Sequence, residues 1–306
     1  MKIILKYILL ILLTISSSYS LPLEKLDMTY ATNDSNIKWD RTGLLGLNFS
    51  SVGLSNWAGG GNNSISVGAN TGLGFNYIAK SISWNNSIEA GYGVIKLGNE
   101  NFRKTDDRLI ISSKFGHKAA ENLSYSALLD FRTQFDRGYD YNKKDTLGNF
   151  LQISDFMSPG YLTLGLGMNY KPIDFIDIYF SPLSNRVIFV LNDSLSNVGA
   201  FGVSPGNHIK SELGSTFDML IQKTLVQNVD LRSRLNLFAP YQSLSTIVVN
   251  WELGLNFKVN EYINAGFNLN LIYDDKILIN RDDGSVGPAT QIKHVILIGF
   301  AYKFNY

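Results

Sequence analysis

Charged residues in this chain recur at alternate positions within segments that are otherwise apolar or small. Successive side chains of a β-strand point to opposite faces, so such a segment collects its charges on one face. Acids and bases that meet on that face can form ion pairs, which satisfy a closed polar interior or line a polar passage. The candidate residues are Glu89, Arg108, Lys114, Asp130, Arg132, Asp218, Arg232, Arg234 and Glu252.

Partners for these charges follow from the turns, because antiparallel neighbours on one face lie opposite each other. Counting from the connections between segments predicts these neighbours: Asp218 with Arg232 or Arg234, Glu252 with Arg232, Glu89 with Lys114, and Asp130 and Arg132 with Arg108. We expect a ladder of paired acids and bases across a lumen at mid-height. Three interpretations stay open, namely a filling that satisfies a narrow interior, a constricted polar pore, and a site for a small polar ligand.

Catalytic and metal-binding patterns are weak in this sequence. The three histidines, His117, His208 and His294, lie on different segments, and none has a serine two positions away on its face. A Ser–His pair brought together by folding stays open as an alternative. Cysteine is absent, which excludes disulfides and thiolate metal sites. The sequence therefore predicts neither an enzyme nor a cofactor nor a resident metal, with weak calcium binding at Asp274–Asp275 and Asp282–Asp283 as an alternative.

A glycine-rich string, Trp57-Ala58-Gly59-Gly60-Gly61-Asn62, stands between the first two segments. Glycines permit positive φ in a tight loop, and a tryptophan beside them can anchor at a membrane interface. The lysine and hydroxyl residue of a phosphate loop do not follow the glycines. The formal net charge is +1, and no basic stripe with aromatics occurs, so we expect no nucleic-acid partner.

The elements that position these residues are long alternating segments. From Ser64 to Tyr77, every odd position is apolar or tolerable in lipid, and every even position is small or polar. About a dozen segments repeat this alternation of apolar and polar residues, which is typical of a transmembrane β-barrel. The predicted strands are 39–54, 64–77, 82–96, 107–117, 123–136, 160–171, 175–191, 209–222, 229–239, 246–259, 263–273 and 291–306, with a bulge or bend near Ser181-Pro182.

Connection lengths support the same fold class. Tight turns alternate with longer loops, as in bacterial barrels with short periplasmic turns and longer outer loops. We predict an all-β, antiparallel, up-and-down transmembrane barrel of about twelve strands, correct to within two. The last strand places Tyr302, Phe304 and Tyr306 on one face, which resembles the signal that barrel-assembly machinery recognises. We therefore expect that machinery and outer-membrane lipid as partners.

The N-terminus predicts export. Lys2 and Lys6 precede an apolar run and small residues at Ser18 and Ser20, the pattern of a secretory signal peptide cleaved after Ser20. Charged residues make up 17% of the chain, few for a soluble surface. We divide the chain into a signal peptide at 1–20, a periplasmic lead-in at 21–38 and an outer-membrane barrel at 39–306.

Several short motifs in one order resemble a known family. They are Ser55 to Asn62, Lys104-Thr105-Asp106-Asp107, Thr133-Gln134-Phe135, Ser158-Pro159-Gly160-Tyr161, Phe180-Ser181-Pro182-Leu183 and Tyr273-Asp274-Asp275. Together they resemble the Bacteroidota outer-membrane barrel family of the domain-of-unknown-function 3078 type, from about Trp39 onward. The resemblance implies an outer-membrane barrel in that bacterial group and implies no activity, catalytic residue or ligand.

The functional prediction is a porin-like channel or small-solute transport barrel with a charged polar lumen and a small polar solute as partner. One alternative is a surface-exposed binding or structural barrel with a plugged lumen that acts with a partner complex. A membrane-embedded hydrolase is a further alternative. Long loops carry function more often than tight turns, so residues 137–159 and 192–208 are candidates for folding inward or recognising a partner.

Overall fold

Antiparallel strands account for most of the structure. The computed structural model describes residues 38–54, 62–260, 263–280 and 285–305. In chain order its strands are β1 (Lys38–Val52), β2 (Ser64–Ile78), β3 (Ile82–Leu97), β4 (Arg103–Ala120), β5 (Leu123–Thr133), β6 (Gly138–Lys144), β7 (Phe150–Ser154), β8 (Gly160–Ile173), β9 (Ile176–Phe189), β10 (Ile209–Val226), β11 (Val229–Pro240), β12 (Val248–Lys258), β13 (Ile263–Tyr273), β14 (Leu278–Asn280), β15 (Val286–Pro288) and β16 (Gln291–Asn305). One short helix, α1 (Asp193–Asn197), and a 3-10 turn at Ala200–Gly202 are found in the same described ranges.

A closed ring contains twelve of these strands, in the order β1-β16-β13-β12-β11-β10-β9-β8-β5-β4-β3-β2. Each ring strand pairs with the next ring strand along the chain, so that β5 pairs with β8 past the β6–β7 hairpin and β13 pairs with β16 past the β14–β15 hairpin. The ring closes where β1 pairs with β16, from Thr42 opposite Asn305 to Leu47 opposite Phe300. Because the first and last strands pair with each other over six residues, the sheet closes into a ring. The fold class predicted from the sequence, a transmembrane up-and-down barrel, is confirmed.

Side chains alternate between an apolar outer face and a polar inner face. On β1, Leu47 and Phe49 are 56% and 67% exposed, whereas Asn48 between them is 8% exposed. The alternation follows from the two-residue period of the strand, so the apolar residues face outward and the polar residues face the lumen. The interior of the barrel is therefore built largely from serine, asparagine and charged residues rather than from an apolar core.

Most strand positions agree with the sequence prediction, and four boundaries differ by three or four residues: both ends of β4, which ends at Ala120 instead of 117, the end of β5, and the end of β10, which runs to Val226 instead of 222. Strand β4 begins at Arg103 instead of 107, because a register shift opposite Gly93 and Val94 breaks the alternation that would have revealed its start. Strand β5 ends at Thr133 instead of 136. There the backbone N–H groups of Phe135 and Asp136 donate to the Asp107 carboxylate rather than to a strand.

The phase break expected in β9 is present. Ser181 and Ser184 are both buried. On a regular strand, two residues that are three positions apart would face opposite sides of the sheet. A register shift between Gly214 and Thr216 on the neighbouring β10 marks the same irregularity. The bulge changes which parity of β9 faces the lumen, and so it turns Arg186 inward.

The two ends of the barrel differ. One end carries short turns, such as 121–122 and 227–228, and the other carries longer connections, which hold the β6–β7 and β14–β15 hairpins and α1. Sequence alternation did not predict these hairpins or the helix. No helix in the described part of the chain is long and apolar enough to cross a membrane. The predicted signal peptide and nearly all of the lead-in lie outside the described residues.

Two adjacent residues on β13 provide a test of which side chains face the lipid and which face the lumen. Leu269 and Asn268 are neighbours on one strand, and their partners across β12 are Leu253 and Gly254. Leu269→Arg places a charge on the lipid face near mid-strand and is expected to destabilise the folded barrel by about 2–4 kcal/mol. Asn268→Arg places the same charge in the lumen and is expected to cost clearly less. Equilibrium unfolding in lipid vesicles measures both; equal losses would contradict the assigned facing.

Candidate functional site

A cluster of ion pairs crosses the lumen and is called here the central network. It consists of Asp130 and Arg132 on β5, Asp218 on β10, Arg232 and Arg234 on β11, and Glu252 on β12. Each strand delivers these residues at inward positions two apart, so alternation alone places them on the lumen side. All six were predicted from the sequence as members of the charge ladder.

Arg132 joins opposite walls of the barrel. Its Nη1 lies 3.0 Å from Oε1 of Glu252, and its Nε donates to Asp130 Oδ1 at 2.7 Å. Four strands separate β5 from β12 along one side of the ring and six along the other. The Arg132–Glu252 pair therefore spans the lumen rather than linking neighbouring strands. Charge-assisted bonds of this kind are stronger than neutral ones and fix the geometry of both side chains.

The remaining arginines complete the central network. Arg234 Nε donates to Asp218 Oδ2 at 2.9 Å, and its Nη2 lies 3.6 Å from Asp130 Oδ2 on the far wall. Arg232 Nη1 lies 3.4 Å from Glu252 Oε2. The structure thus brings Asp218 to Arg234, one of the two alternatives predicted, and brings Glu252 to Arg232.

One predicted neighbour relation is wrong, and a second is met only in part. Lys114 lies opposite Asn85, and its ammonium contacts Asp177 at 3.0 Å, not Glu89. Glu89 is opposite Ile110 in the register. The physical reason is that β4 starts early, so the connection between β3 and β4 is only 98–102. Its centre lies about two residues before the centre of the longer connection from which the pairing was predicted.

The prediction for Arg108 is met in part, because the register sets Arg132 opposite Ile110, one inward position away from Arg108. Arg108 Nη1 lies 3.5 Å from Asp106 Oδ2 on its own strand, whereas Asp130 and Arg132 have their cross-lumen partners on β11 and β12. Asp106 in turn contacts Lys293, whose ammonium reaches across from β16 at 3.1 Å. Sequence analysis missed Lys293 because the contact depends on reach across the lumen, which strand register does not encode.

A further group of charges lies at the end with long connections. Arg186 donates from both Nη1 and Nη2 to Asp274 Oδ2 at 3.2 Å, and its guanidinium stacks over the Tyr161 ring. Beside it, Glu212 contacts Lys276 at 2.5 Å and Lys210 at 3.2 Å. The bulge in β9 reverses the odd–even alternation, so alternation did not predict that Arg186 faces the lumen. On β10 the alternation is regular and indicated that Glu212 faces inward.

Residues 190–208 cover part of the same end of the lumen and are called here the cap. Val190, Leu195 and Val203 of the cap form a buried apolar cluster with inward-facing Ile188, and Tyr161 packs against it. An added Cβ at Gly202 would meet Lys276, which shows how closely the cap approaches the connection after β13. The expectation that residues 192–208 fold inward agrees with this packing.

Asp155, in the connection after β7, anchors the cap. Its Oδ2 accepts from Asn192 Nδ2 at 2.9 Å and from Gln152 Nε2 at 3.1 Å, while Oδ1 accepts from the Phe156 N–H. Burial alone would raise the pKa of Asp155, but these donors hold the pKa below its usual range because they favour the charged carboxylate.

Two other candidates from the sequence are His208 and the glycine-rich loop motif. His208 Nδ1 lies 2.9 Å from the Val190 carbonyl oxygen, and its Nε2 lies 3.5 Å from Asp193. Within the described ranges, no group of three or more His, Cys, Asp or Glu residues is placed to hold a metal. The predicted loop motif Trp57, Gly59, Gly60 and Gly61 lies outside the described residues, and its last member, Asn62, is exposed.

The fold and the lumen together define a transmembrane β-barrel whose interior is crossed by ion pairs. Residues 49–139 match the family model described as "Protein of unknown function (DUF3078)". The resemblance expected from the sequence motifs is therefore confirmed over that part of the chain. A comparison with curated proteins finds no match.

Several solved outer-membrane barrels are similar in outline. The translocator domain of the autotransporter NalP from Neisseria meningitidis has 11% identity, covers 87% of each chain and gives a TM-score of 0.38. The NanC porin has 8% identity, covering 85% of this chain and 98% of that chain, with a TM-score of 0.37. OmpT of Vibrio cholerae, in its trimer form, has 8% identity over 88% and 99% of the two chains, with a TM-score of 0.32. At these values the similarities carry no information on solute or activity.

Removal of Glu252 tests the central network. Glu252→Ala leaves the guanidinium groups of Arg132 and Arg232 without the carboxylate between them, and we expect a loss of about 1–3 kcal/mol of folding free energy. Glu252→Gln keeps an acceptor and should lose less. Glu121→Ala in an exposed turn is the control and should stay within about 0.5 kcal/mol. If Glu252→Ala also unfolds like the wild type in vesicles, the network is not a stabilising element.

The Asp155 anchor predicts a pH dependence of the cap. Because the pKa of Asp155 in the folded protein lies below its usual value of about 3.9, the anchor persists above that pH and is lost as pH falls through the lowered pKa. Hydrogen exchange in the cap should stay slow at neutral pH and accelerate in acid. Asp155→Ala should accelerate it at neutral pH, whereas Asp174→Ala, an exposed carboxylate in the short β8–β9 turn at the opposite end, should not. Equal exchange in both variants would contradict the anchor.

Proposed function

We propose that this protein is a narrow, porin-like channel for small polar solutes in a bacterial outer membrane. The observation that carries the proposal is the central network, a set of paired charges that crosses a lumen whose outer wall is apolar. Side chains in the network keep contact with solvent, with 21% exposure for Arg132 and 24% for Glu252. Such partly hydrated charges fit a water-filled constriction better than a dry interior.

Orientation follows from the two ends of the barrel. We place the short turns in the periplasm and the long connections outside the cell, the arrangement of bacterial outer-membrane barrels. An exported precursor with residues 1–20 as signal peptide, a periplasmic lead-in at 21–38 and insertion by barrel-assembly machinery would deliver the chain to this position. Exposed apolar side chains such as Leu47 and Phe300 then contact outer-membrane lipid.

The constriction would select solutes by size and by polarity. The central network holds three arginines and three acids, and further paired charges lie towards each end, so neither sign dominates the passage. Charges that are already paired leave little net field to attract one kind of ion. The proposed channel would therefore pass small polar solutes with weak preference for cations or anions.

A second candidate function is a binding or structural barrel with a closed lumen. The cap favours it, because residues 190–208 pack through Val190, Leu195 and Val203 over inward-facing Ile188 at the long-connection end. In that case the cap and the β6–β7 hairpin would present a surface to a partner complex. The two candidates differ in one measurable property, the passage of ions through the isolated barrel.

Planar-bilayer recording with purified protein separates the candidates. The channel proposal expects a small, steady KCl current, and it expects the double variant Arg132→Ser/Glu252→Ser to conduct more, because two long side chains leave the constriction. Glu121→Ser, in an exposed turn, is the matched control and should conduct like the wild type. Absence of current in both the wild type and the double variant would overturn the channel and favour the closed barrel.

A further inference from the structure

The turn that follows β13 reaches across the mouth of the lumen. It comprises residues 274–277 and is called here the β13 turn. Two of its charged side chains bind strands that are not neighbours of β13, because Asp274 pairs with Arg186 on β9 and Lys276 pairs with Glu212 on β10. Along the shorter side of the ring, β10 to β12 lie between β9 and β13. These ion pairs therefore hold the turn over the lumen, at the end with long connections.

Local hydrogen bonds give the β13 turn its own shape. Oδ1 of Asp274 accepts from the Lys276 N–H at 3.1 Å, and the Asp274 carbonyl oxygen accepts from the Ile277 N–H at 3.1 Å. An aspartate that binds the backbone two residues further on stabilises a turn without help from the rest of the fold. The other carboxylate oxygen, Oδ2, is left to accept from both Nη1 and Nη2 of Arg186 at 3.2 Å. The turn and its carboxylate can therefore move as one unit.

Arg186 and Glu212, the residues that hold the turn, are direct neighbours. They lie opposite each other in the β9–β10 register, and Arg186 Nη1 is 4.0 Å from Glu212 Oε2. That oxygen is buried and accepts no hydrogen bond from the described residues, whereas Oε1 contacts both Lys276 and Lys210. Opposite charges that face each other across antiparallel strands favour a direct pair. The β13 turn thus draws each residue towards itself and keeps the direct pair long.

Arg186 stays on the wall of the ring whether or not the turn is present. Its guanidinium carbon lies 5.0 Å from the ring centroid of Tyr161 on β8 and 5.9 Å from that of Phe238 on β11. An arginine over aromatic faces gains from both the cation and the flat packing. Since these rings belong to strands of the barrel, they fix the guanidinium beside Glu212.

An exchange of partners allows the turn to leave without stranding a charge. Removal of one member of a buried ion pair is costly, because the other member stays buried and unpaired. Here Arg186 and Glu212 can close the gap between them when the turn moves outwards, and Lys210 remains beside Glu212. Asp274 and Lys276 leave together and are hydrated. Two arrangements that each satisfy the buried charges make a bistable element.

We propose that the β13 turn is a gate of the lumen, closed by its ion pairs with β9 and β10 and open when Arg186 and Glu212 pair with each other. The gate lies outside the central network, because Glu212 is nearer than Asp218 to the long-connection end of β10. A solute from outside the cell meets the gate first and the central network second. The inference rests on the proposed channel function for its effect on current, whereas movement of the turn is measurable without any current.

Asp274→Asn tests the gate by current. The variant removes the charge that holds Arg186, while its amide oxygen can still accept from the Lys276 N–H. Asp275→Asn is the matched control, since this carboxylate belongs to the same turn and makes no ion pair with the described residues. In planar bilayers, Asp274→Asn should raise the mean KCl current of the purified full chain several-fold, and Asp275→Asn should conduct like the wild type.

Spin labels measure the movement itself. Leu278→Cys, directly after the turn, and Ile209→Cys, at the start of β10, replace exposed residues and can carry the labels. Double electron–electron resonance in lipid vesicles then gives the distribution of distances between them. Asp274→Asn should shift this distribution to longer distances, and Asp275→Asn should leave it unchanged. Lys276→Gln breaks the other ion pair of the turn, should act in the same direction, and decides the matter if Asp274→Asn does not fold.

Each result has one meaning. An unchanged distance distribution in Asp274→Asn and Lys276→Gln, or an equal shift in Asp275→Asn, overturns the inference. A shift in distance without a rise in current, in a chain whose wild type conducts, overturns it as well. A shift confined to Asp274→Asn and Lys276→Gln, together with no KCl current in any variant, supports the exchange of ion pairs and overturns the channel function instead.

Discussion

The structure depends on one constraint: a chain that crosses hydrocarbon must pair every backbone N–H and C=O group internally. An unpaired group costs several kcal/mol there, so a sheet survives only when its first and last strands meet. Pairing of β1 with β16 over six residues closes the ring, and the closed ring then determines which side chains of a regular strand face lipid and which face the lumen. Odd and even positions must divide between lipid and lumen, and the lumen must accept polar groups.

Once the lumen is polar, its charges must find partners. Arg132 and Arg234 reach acids on strands that are not their neighbours, so the ring is braced across its interior as well as along its hydrogen-bonded ladder. On β12 and β13 the same alternation sets inward asparagines opposite glycines, as Asn268 lies opposite Gly254 and Asn256 opposite Gly266. The ion pairs across the lumen therefore follow from how the inward charged residues are distributed among the strands.

The sequence predicts the barrel well because a two-residue period is a local signal. Strands such as β2 and β13 can be read from alternation alone, and the six residues of the central network follow from inward parity. Arg186 escaped because the bulge at Ser181–Ser184 reverses parity within β9. The sequence did not predict two ion pairs, Lys293 with Asp106 and Lys114 with Asp177, because these contacts depend on the width of the lumen and on side-chain length. The cap was foreseen only as a long loop, since its apolar cluster forms with inward residues of β8 and β9.

The central claim is that alternate residues of each strand line an aqueous lumen. The chain contains no cysteine, so single introduced cysteines permit a direct measurement. Single cysteines placed in turn at positions 249 to 256 of β12, in vesicles, are reacted with a water-soluble thiol reagent that does not enter lipid. The account predicts labelling at the inward positions Asn250, Gly254 and Asn256 and protection at the outward positions Val249, Leu253 and Leu255. Labelling without alternation, or protection of all positions, would contradict it.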